Sequence, residues 1–183
     1  FLDIKKSYNQ SCLTFEVLVR GNFHRRAYEI FRKEGPLALL PLDSNRYQII
    51  WTASTSKAID RLNSSNSFLL DNLSTIVPEN FKLDQIVSNI NIFPVSLSLC
   101  LPNFNLNKSL FVGDSFHTFH PVGGQGLNTC WRDVNDIYDI FKRYKTISRK
   151  NLNTFKFKYY LKRSFDIVST ILVTDFLIRL FAN

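Results

Sequence analysis

The hydrophobic pattern changes character along the chain. Residues 11–20 carry the β-branched and aromatic content of a strand, and Gly21-Asn22 breaks it with a turn. His24 to Lys33 reads as a short helix or a polar connection. Leu37 to Leu42 and Arg46 to Ala53 predict two strands around Asp43-Ser44-Asn45, an antiparallel hairpin. Ser56 to Asn63 and Ser67 to Leu73 predict helices joined by a Ser/Asn-rich link, and residues 81–91 a further short helix. Phe93 to Leu101 alternates as a strand does, with Pro94 near its start. From residue 109 the pattern becomes strand, glycine loop, helix. Ser109 to Val112 is a short apolar run ending at Gly113-Asp114. Leu127 to Tyr144 predicts a helix, because Leu127, Trp131, Val134, Ile137, Tyr138 and Phe141 recur at three- and four-residue steps. Phe155 to Phe181 predicts one long helix. Strands early and strand–loop–helix late give a mixed α/β (α+β) class, without internal repeats.

Composition narrows this. The 183 residues allow one domain or parts of two. A hydrophobic content of 45% excludes disorder, yet no apolar run reaches the roughly 18–20 residues of a membrane-spanning helix. The formal charge is +8 and unevenly spread: nine basic residues and no acid fall between Lys142 and Arg163. Tyr144, Phe155, Phe157, Tyr159 and Tyr160 are interleaved with them. Three readings stay open: a solvated helix face with its rings on a core, a contact surface for an anionic membrane, or a nucleic-acid surface. Nucleic acid is not expected, because no recognised motif accompanies the charge. Cys12, Cys100 and Cys130 are scattered, with neither zinc spacing nor a disulfide framework, and read as core thiols in a reducing, cytoplasmic setting. Phe1 to Lys6 has no signal-peptide pattern. The chain contains no Met, so Phe1 is not expected to be a natural start and the chain reads as part of a longer protein.

The glycines carry the chemistry. Four of six lie in residues 113–126, GDSFHTFHPVGGQG. Glycine permits positive φ and close passage of a ligand along the backbone. Gly123, Gly124 and Gly126 immediately precede a helix whose first N–H groups lack intrahelical partners and favour negative charge. Alternatively, the glycines only let a tight turn pack on a sheet. The run is neither GxxxxGK[ST] nor GxGxxG, since Thr stands at 129. Asp114 follows a short apolar run, where open α/β sheets place ligands, and is otherwise a turn or cap residue. His117 and His120 are three apart, but His24 is remote and no carboxylate spacing completes a metal site, so none is expected. No GxSxG element is present.

At residues 112–134 the sequence, VGDSFHTFHPVGGQGLNTCWRDV, resembles the second flavin-contacting motif of the FAD-dependent aromatic hydroxylases, above all those of ubiquinone biosynthesis. The match covers Gly113, Asp114, His117, His120, Pro121, Gly124, Gln125, Gly126, Asn128, Arg132 and Asp133. Cys130 departs where Gly is common, and Ser115 where Ala is common. Weaker similarity covers Tyr8-Asn9-Gln10-Ser11, residues 27–42, Phe93-Pro94-Val95, Thr174-Asp175 and Arg179-Leu180-Phe181. The family's opening GxGxxG unit and its nicotinamide-linked Asp-Gly motif do not occur.

The resemblance implies part of a three-layer FAD/NAD(P)-binding fold. Residues 1–106 would form a substrate domain, mostly antiparallel sheet, and 107–183 the C-terminal part of the FAD-binding domain. FAD is the implied cofactor, NAD(P)H the reductant and O2 the co-substrate. The implied substrate is an aromatic, lipophilic phenol of the quinone-precursor type. By resemblance Asp114 binds the ribityl chain, with Gly113 allowing close passage. Pro121, Gly123, Gly124, Gln125 and Gly126 line the isoalloxazine ring, and the N–H groups near Gly126, Leu127 and Asn128 face its N1 and O2 edge. The motif marks no general base, so the catalytic residue is left unassigned. Peripheral membrane or multienzyme association is a further implied partner. The competing expectations are a non-catalytic remnant and a basic surface-binding module.

Overall fold

The computed structural model describes residues 2–21, 26–101, 109–143 and 149–182. They form β1 (Leu2–Arg20), β2 (Tyr28–Ile30), β3 (Leu37–Pro41), β4 (Arg46–Ser54), α1 (Thr55–Leu62), α2 (Asn66–Ser74), β5 (Lys82–Ile86) and β6 (Asn91–Leu101). A 3-10 turn at Gly113–Ser115 follows, then β7 (His117–Thr118), α3 (Gln125–Lys142) and α4 (Arg149–Ala182). Two compact units result. One comprises residues 1–8 and 96–179, the other residues 9–95 and 180–183.

The second unit is an antiparallel sheet backed by two helices. β4 pairs with β1 from Leu18↔Arg46 to Gln10↔Ser54 and with β3 from Leu37↔Trp51 to Pro41↔Tyr47. The two-residue period puts Leu13, Phe15, Val17 and Val19 of β1 on one face. They meet Leu37 and Leu39 of β3, and Tyr47, Ile49 and Trp51 of β4, all buried. Ala58, Leu69 and Leu73 from α1 and α2 complete this core. Ser65 starts α2 by accepting the Phe68 N–H at 3.3 Å. Gly35 has φ +140°, and a Cβ there would lie 2.6 Å from the Thr52 carbonyl oxygen. Only glycine lets the 32–35 turn close onto β4, where Thr52 N–H reaches the Pro36 carbonyl at 3.0 Å.

The hairpin, α1, α2, β6 and the late helices match the sequence reading. Two segments do not. Tyr28–Ile30, within the stretch read as a helix or connection, is an edge strand on β3; residues 22–25 lie outside the described residues. Residues 82–86, read as helical, are β5, paired antiparallel with β1 across a register shift at Leu18/Val19. Lys-Leu-Asp-Gln-Ile suits either state, and the open N–H and C=O groups of β1 decide for the strand.

The first unit holds β7 against β6 (Ser98↔Thr118, Leu99↔His117) and the two long helices. Its core is Phe116, Ile140, Phe155, Tyr159, Tyr160 and Ile167. Residues 109–112 are not a strand, which corrects the sequence reading. Val112 alone is shown to keep extended dihedrals, and the Phe111 N–H donates to the Tyr160 hydroxyl at 3.0 Å instead of to a ladder. The cysteines also differ from expectation: Cys12 is buried, while Cys100 and Cys130 are half-buried.

α3 is inverted relative to a simple amphipathic helix. Leu127, Trp131, Val134, Tyr138 and Phe141 form its stripe, and they point outward; Trp131 is 64% exposed. The inward face carries Thr129, Asp133, Asp136 and Ile140.

Candidate flavin site

The candidate loop is built from the turn upward. Gly113 enters it with φ +56°, and the next residue, Asp114, presents its carboxylate to solvent, without a hydrogen-bond partner among the described residues. Gly123 and Gly124 also take left-handed φ, +77° and +57°. A Cβ added at Gly123, Gly124 or Gly126 would meet nothing within 4 Å, so this rim of the loop is open. Backbone and side-chain bonds hold it: Gly124 N–H donates to the Pro121 carbonyl at 3.0 Å, and Gln125 Nε2 to the Gly123 carbonyl at 2.9 Å. Gly124 caps α3 without a side-chain acceptor, and no acid stands in the first turn. The leading amides, among them Gly126 and Leu127, therefore keep their capacity for an external acceptor, whereas the Asn128 N–H stands one residue further on, where the intrahelical ladder from Gly124 begins.

His117 and His120, the pair weighed as metal ligands, are both engaged otherwise. His120 is buried, and its Nδ1 accepts the Val122 N–H at 3.1 Å, which fixes the Pro121 turn. Its ring meets Tyr8 edge-on at 5.0 Å between centroids. Burial pushes the imidazole down to about 4, with Asp175 opposing, so it is neutral at physiological pH, as an Nδ1 acceptor requires.

His117 belongs to a buried ionic cluster that joins the loop to both helices. Asp133, 0% exposed, accepts the Gly113 N–H at 2.8 Å, His117 Nε2 at 2.9 Å and Arg163 Nε at 2.5 Å. Burial alone would raise the Asp133 carboxyl. The His117 and Gly113 hydrogen bonds and the Arg163 charge hold it below the ordinary carboxylate range. Arg163, 2% exposed, also reaches Asp166 at 2.6 Å and Asp136 at 3.3 Å. The motif's neighbouring Arg132 crosses to Asp166 at 2.9 Å. Adjacent motif residues thus make reciprocal ion pairs with α4, and Asp133 binds the first glycine of the loop as well.

The described site brings together Gly113, Asp114, Pro121, Gly123, Gly124, Gln125, Gly126, Leu127 and Asn128 on one turn–loop–helix. Sequence reasoning missed Arg163, Asp136 and Asp166. Their signal was present: acids three apart on α3 (133, 136) and Arg163 three before Asp166 on α4, each spacing giving one helix face. A second link joins distant similarity segments. Asp175 accepts from the Tyr8 hydroxyl at 2.7 Å and from Lys6 Nζ at 2.8 Å. An open pocket of about 250 Å³ lies between the loop (Val122, Gly123, Gln125) and α4 (Thr170, Val173, Leu177).

Open left-handed glycines, an unpartnered Asp114 carboxylate and an uncapped helix start suit a flavin's ring and ribityl end. Comparison with known proteins shows the family. The sequence profile described as FAD binding domain matches residues 10–150, and the chain belongs to this family. It is 34% identical over 128 residues to an uncharacterised protein of Synechocystis sp., covering 69% of this chain and 30% of that one. It is 28% identical over 133 residues to the 3-demethoxyubiquinol 3-hydroxylase of Escherichia coli (73% and 34%). With the ubiquinone hydroxylase UbiL of Rhodospirillum rubrum it shares 28% over 191 residues (96% and 41%). Among solved structures, PqsL of Pseudomonas aeruginosa, a probable FAD-dependent monooxygenase, superposes with TM-score 0.74 at 16% identity, over 98% of this chain and 50% of PqsL. Klebsiella pneumoniae HpxO, complexed with FAD and uric acid, gives 0.66 at 12% identity (100% and 47%). At these identities the superpositions establish the fold. The chain spans about a third of the length of the curated relatives it matches.

Proposed function

We propose that the chain provides the ring- and ribityl-binding part of an FAD-dependent monooxygenase that hydroxylates a lipophilic aromatic ring with NAD(P)H and O2. The observation that carries this is the open loop from Gly113 to the uncapped start of α3. Asp114 would accept a ribityl hydroxyl, and Gly113 lets the ligand pass close to the backbone. Pro121 to Gly126 would line the ring. The leading N–H groups of α3 would stabilise negative charge on the ring edge by dipoles already in place. When bound, FAD supplies the electron transfer and oxygen activation; this chain binds, orients and shields. The homologous ubiquinone hydroxylases support a prenylated phenol as substrate.

The test is equilibrium binding followed by flavin fluorescence, with competitors that divide the cofactor. FMN should compete with FAD about as well as FAD itself, and ADP-ribose should not, because on this reading the loop takes only the flavin end. Asp114→Ala should weaken binding by about 10- to 100-fold, the worth of one hydrogen bond to a charged acceptor. Unchanged affinity in this variant, or competition by ADP-ribose, overturns the assignment.

A further inference from the structure

The pocket of about 250 Å³ between the glycine loop and α4 is lined in part by polar side chains, and each of these is already engaged. Gln125 donates through Nε2 to the Gly123 carbonyl, and Arg132 is paired with Asp166 at 2.9 Å. On α4 the hydroxyls of Ser169, Thr170 and Thr174 turn back to the carbonyls of Phe165, Asp166 and Thr170, at 2.8, 2.8 and 2.9 Å. None of them needs a polar ligand, and a polar ligand would have to displace a bond already made. Val122, Val173 and Leu177 supply the rest of the wall. Such a wall favours hydrocarbon over water. The larger pocket of the second unit, about 480 Å³, is the contrast. Asp71, Glu79, Lys82 and Asp84 line it, and covering their charges with hydrocarbon would be costly.

Position selects the occupant. Gly123 and Gln125 line this pocket and also belong to the loop assigned above to the flavin ring. A chain carried by an aromatic substrate beside that ring therefore has the pocket within reach. We infer that the pocket receives the hydrocarbon tail of the substrate, with Val122, Val173 and Leu177 as its apolar walls. Volume sets how much of the tail it takes. An apolar cavity of about 150 Å³ holds one benzene, so by proportion about 250 Å³ takes roughly ten carbons. That the hydrocarbon is the substrate's own rests on the function proposed above. The preference of the pocket for carbon does not, and it is measured without flavin.

The probes are 4-alkylphenols from ethyl to dodecyl, titrated calorimetrically into the full chain below their micelle concentrations. Affinity should rise about fourfold per methylene and level off near ~10 carbons. Val173→Trp fills the pocket and should bind decylphenol no better than ethylphenol. Val168→Trp, on α4 but outside the pocket, should keep the full series. Val173 and Val168 are each more than half exposed, so neither change disturbs the core. A series without a chain-length step overturns the inference, as does equal loss in the two variants, which would report general surface adhesion. FMN and decylphenol should bind together. Mutual exclusion would assign the pocket to the flavin itself and also overturns the inference. Chain-length steps in a protein that binds no FMN would overturn the proposed function alone, so the two failures are distinguishable. Should Val173→Trp fail to fold, the series on the unaltered chain and the FMN competition decide without it.

Discussion

Removing the Asp133 carboxylate should unfold the first unit more readily than any exposed change near the loop. In Asp133→Ala three donors lose their acceptor at once: the Gly113 N–H, His117 Nε2 and Arg163 Nε. Each bond to a charged group nets roughly 1.5–3 kcal/mol, and these bonds share one acceptor, so they do not add. Breaking a buried ion pair from one side costs about 3–5 kcal/mol. Arg163 keeps Asp166 at 2.6 Å and Asp136 at 3.3 Å, which limits the loss. The working figure is about 3–4 kcal/mol, or about two to three decades in the folded-to-unfolded ratio. Urea unfolding followed by far-UV circular dichroism should show a midpoint lower by about 1–2 M for a slope of about 2–3 kcal/mol/M. Asp133→Asn keeps an acceptor without its charge and should fall between. The pH dependence gives a second check. The folded Asp133 carboxyl lies below its ordinary value. Its stabilising contribution is therefore complete above the unfolded value and disappears as pH falls through the folded one. Asp133→Ala should lack this acid-side loss. A midpoint shift under about 0.5 M would show that the cluster does not hold the unit together.

Three other expectations follow from the same geometry. Gly35→Ala places a Cβ 2.6 Å from a backbone carbonyl at φ +140° and should cost at least ~2 kcal/mol; a loss below ~0.5 kcal/mol in urea titration would contradict the steric reading. His120 is held neutral down to about 4, while an unfolded histidine takes its proton near 6.5. Between these values only the unfolded chain is protonated, so stability should fall with decreasing pH by up to about 3 kcal/mol; His120→Gln should lose that slope, and an NMR titration midpoint near 6.5 in the folded chain would refute it. Gel filtration should separate the 183-residue chain from FAD, because the pyrophosphate and adenosine contacts of a GxGxxG unit are not in this sequence; stoichiometric FAD in the protein peak would contradict this.

Much of the fold was legible because its signals are local. Turn residues bracket the β3–β4 hairpin, and a Ser cap starts α2. The glycine motif marked Gly113, Asp114 and Gly123–Gly126 as a loop ahead of a helix, and they form one. What stayed illegible depends on neighbours distant in sequence. Lys82–Ile86 becomes a strand because β1 offers an open edge 64 residues away, the separation of the Arg20–Asp84 pair. Arg163 was grouped with a basic run, yet it is the buried counter-ion of a motif acid thirty residues earlier. The run therefore divides: Phe155, Tyr159 and Tyr160 are ring-bearing core, Arg163 is structural, Lys162 pairs with Asp136 of α3 at 2.6 Å, and Lys158 is exposed.

α3 shows why period and direction are separate questions. Its three- and four-residue apolar steps established a helix, and Gln125–Lys142 is one. Hydrophobicity alone would turn Leu127, Trp131 and Val134 inward. Instead the inner face carries Asp133 and Asp136, because each finds Arg163 there and Asp133 also finds Gly113 and His117. Burying acids is tolerable only where every partner is in place. The inversion is thus the consequence of tying a ligand loop to two helices through one carboxylate. It leaves Trp131 and its apolar neighbours uncovered by the described residues, and it starts that stripe at Leu127, whose own backbone N–H belongs to the uncapped turn.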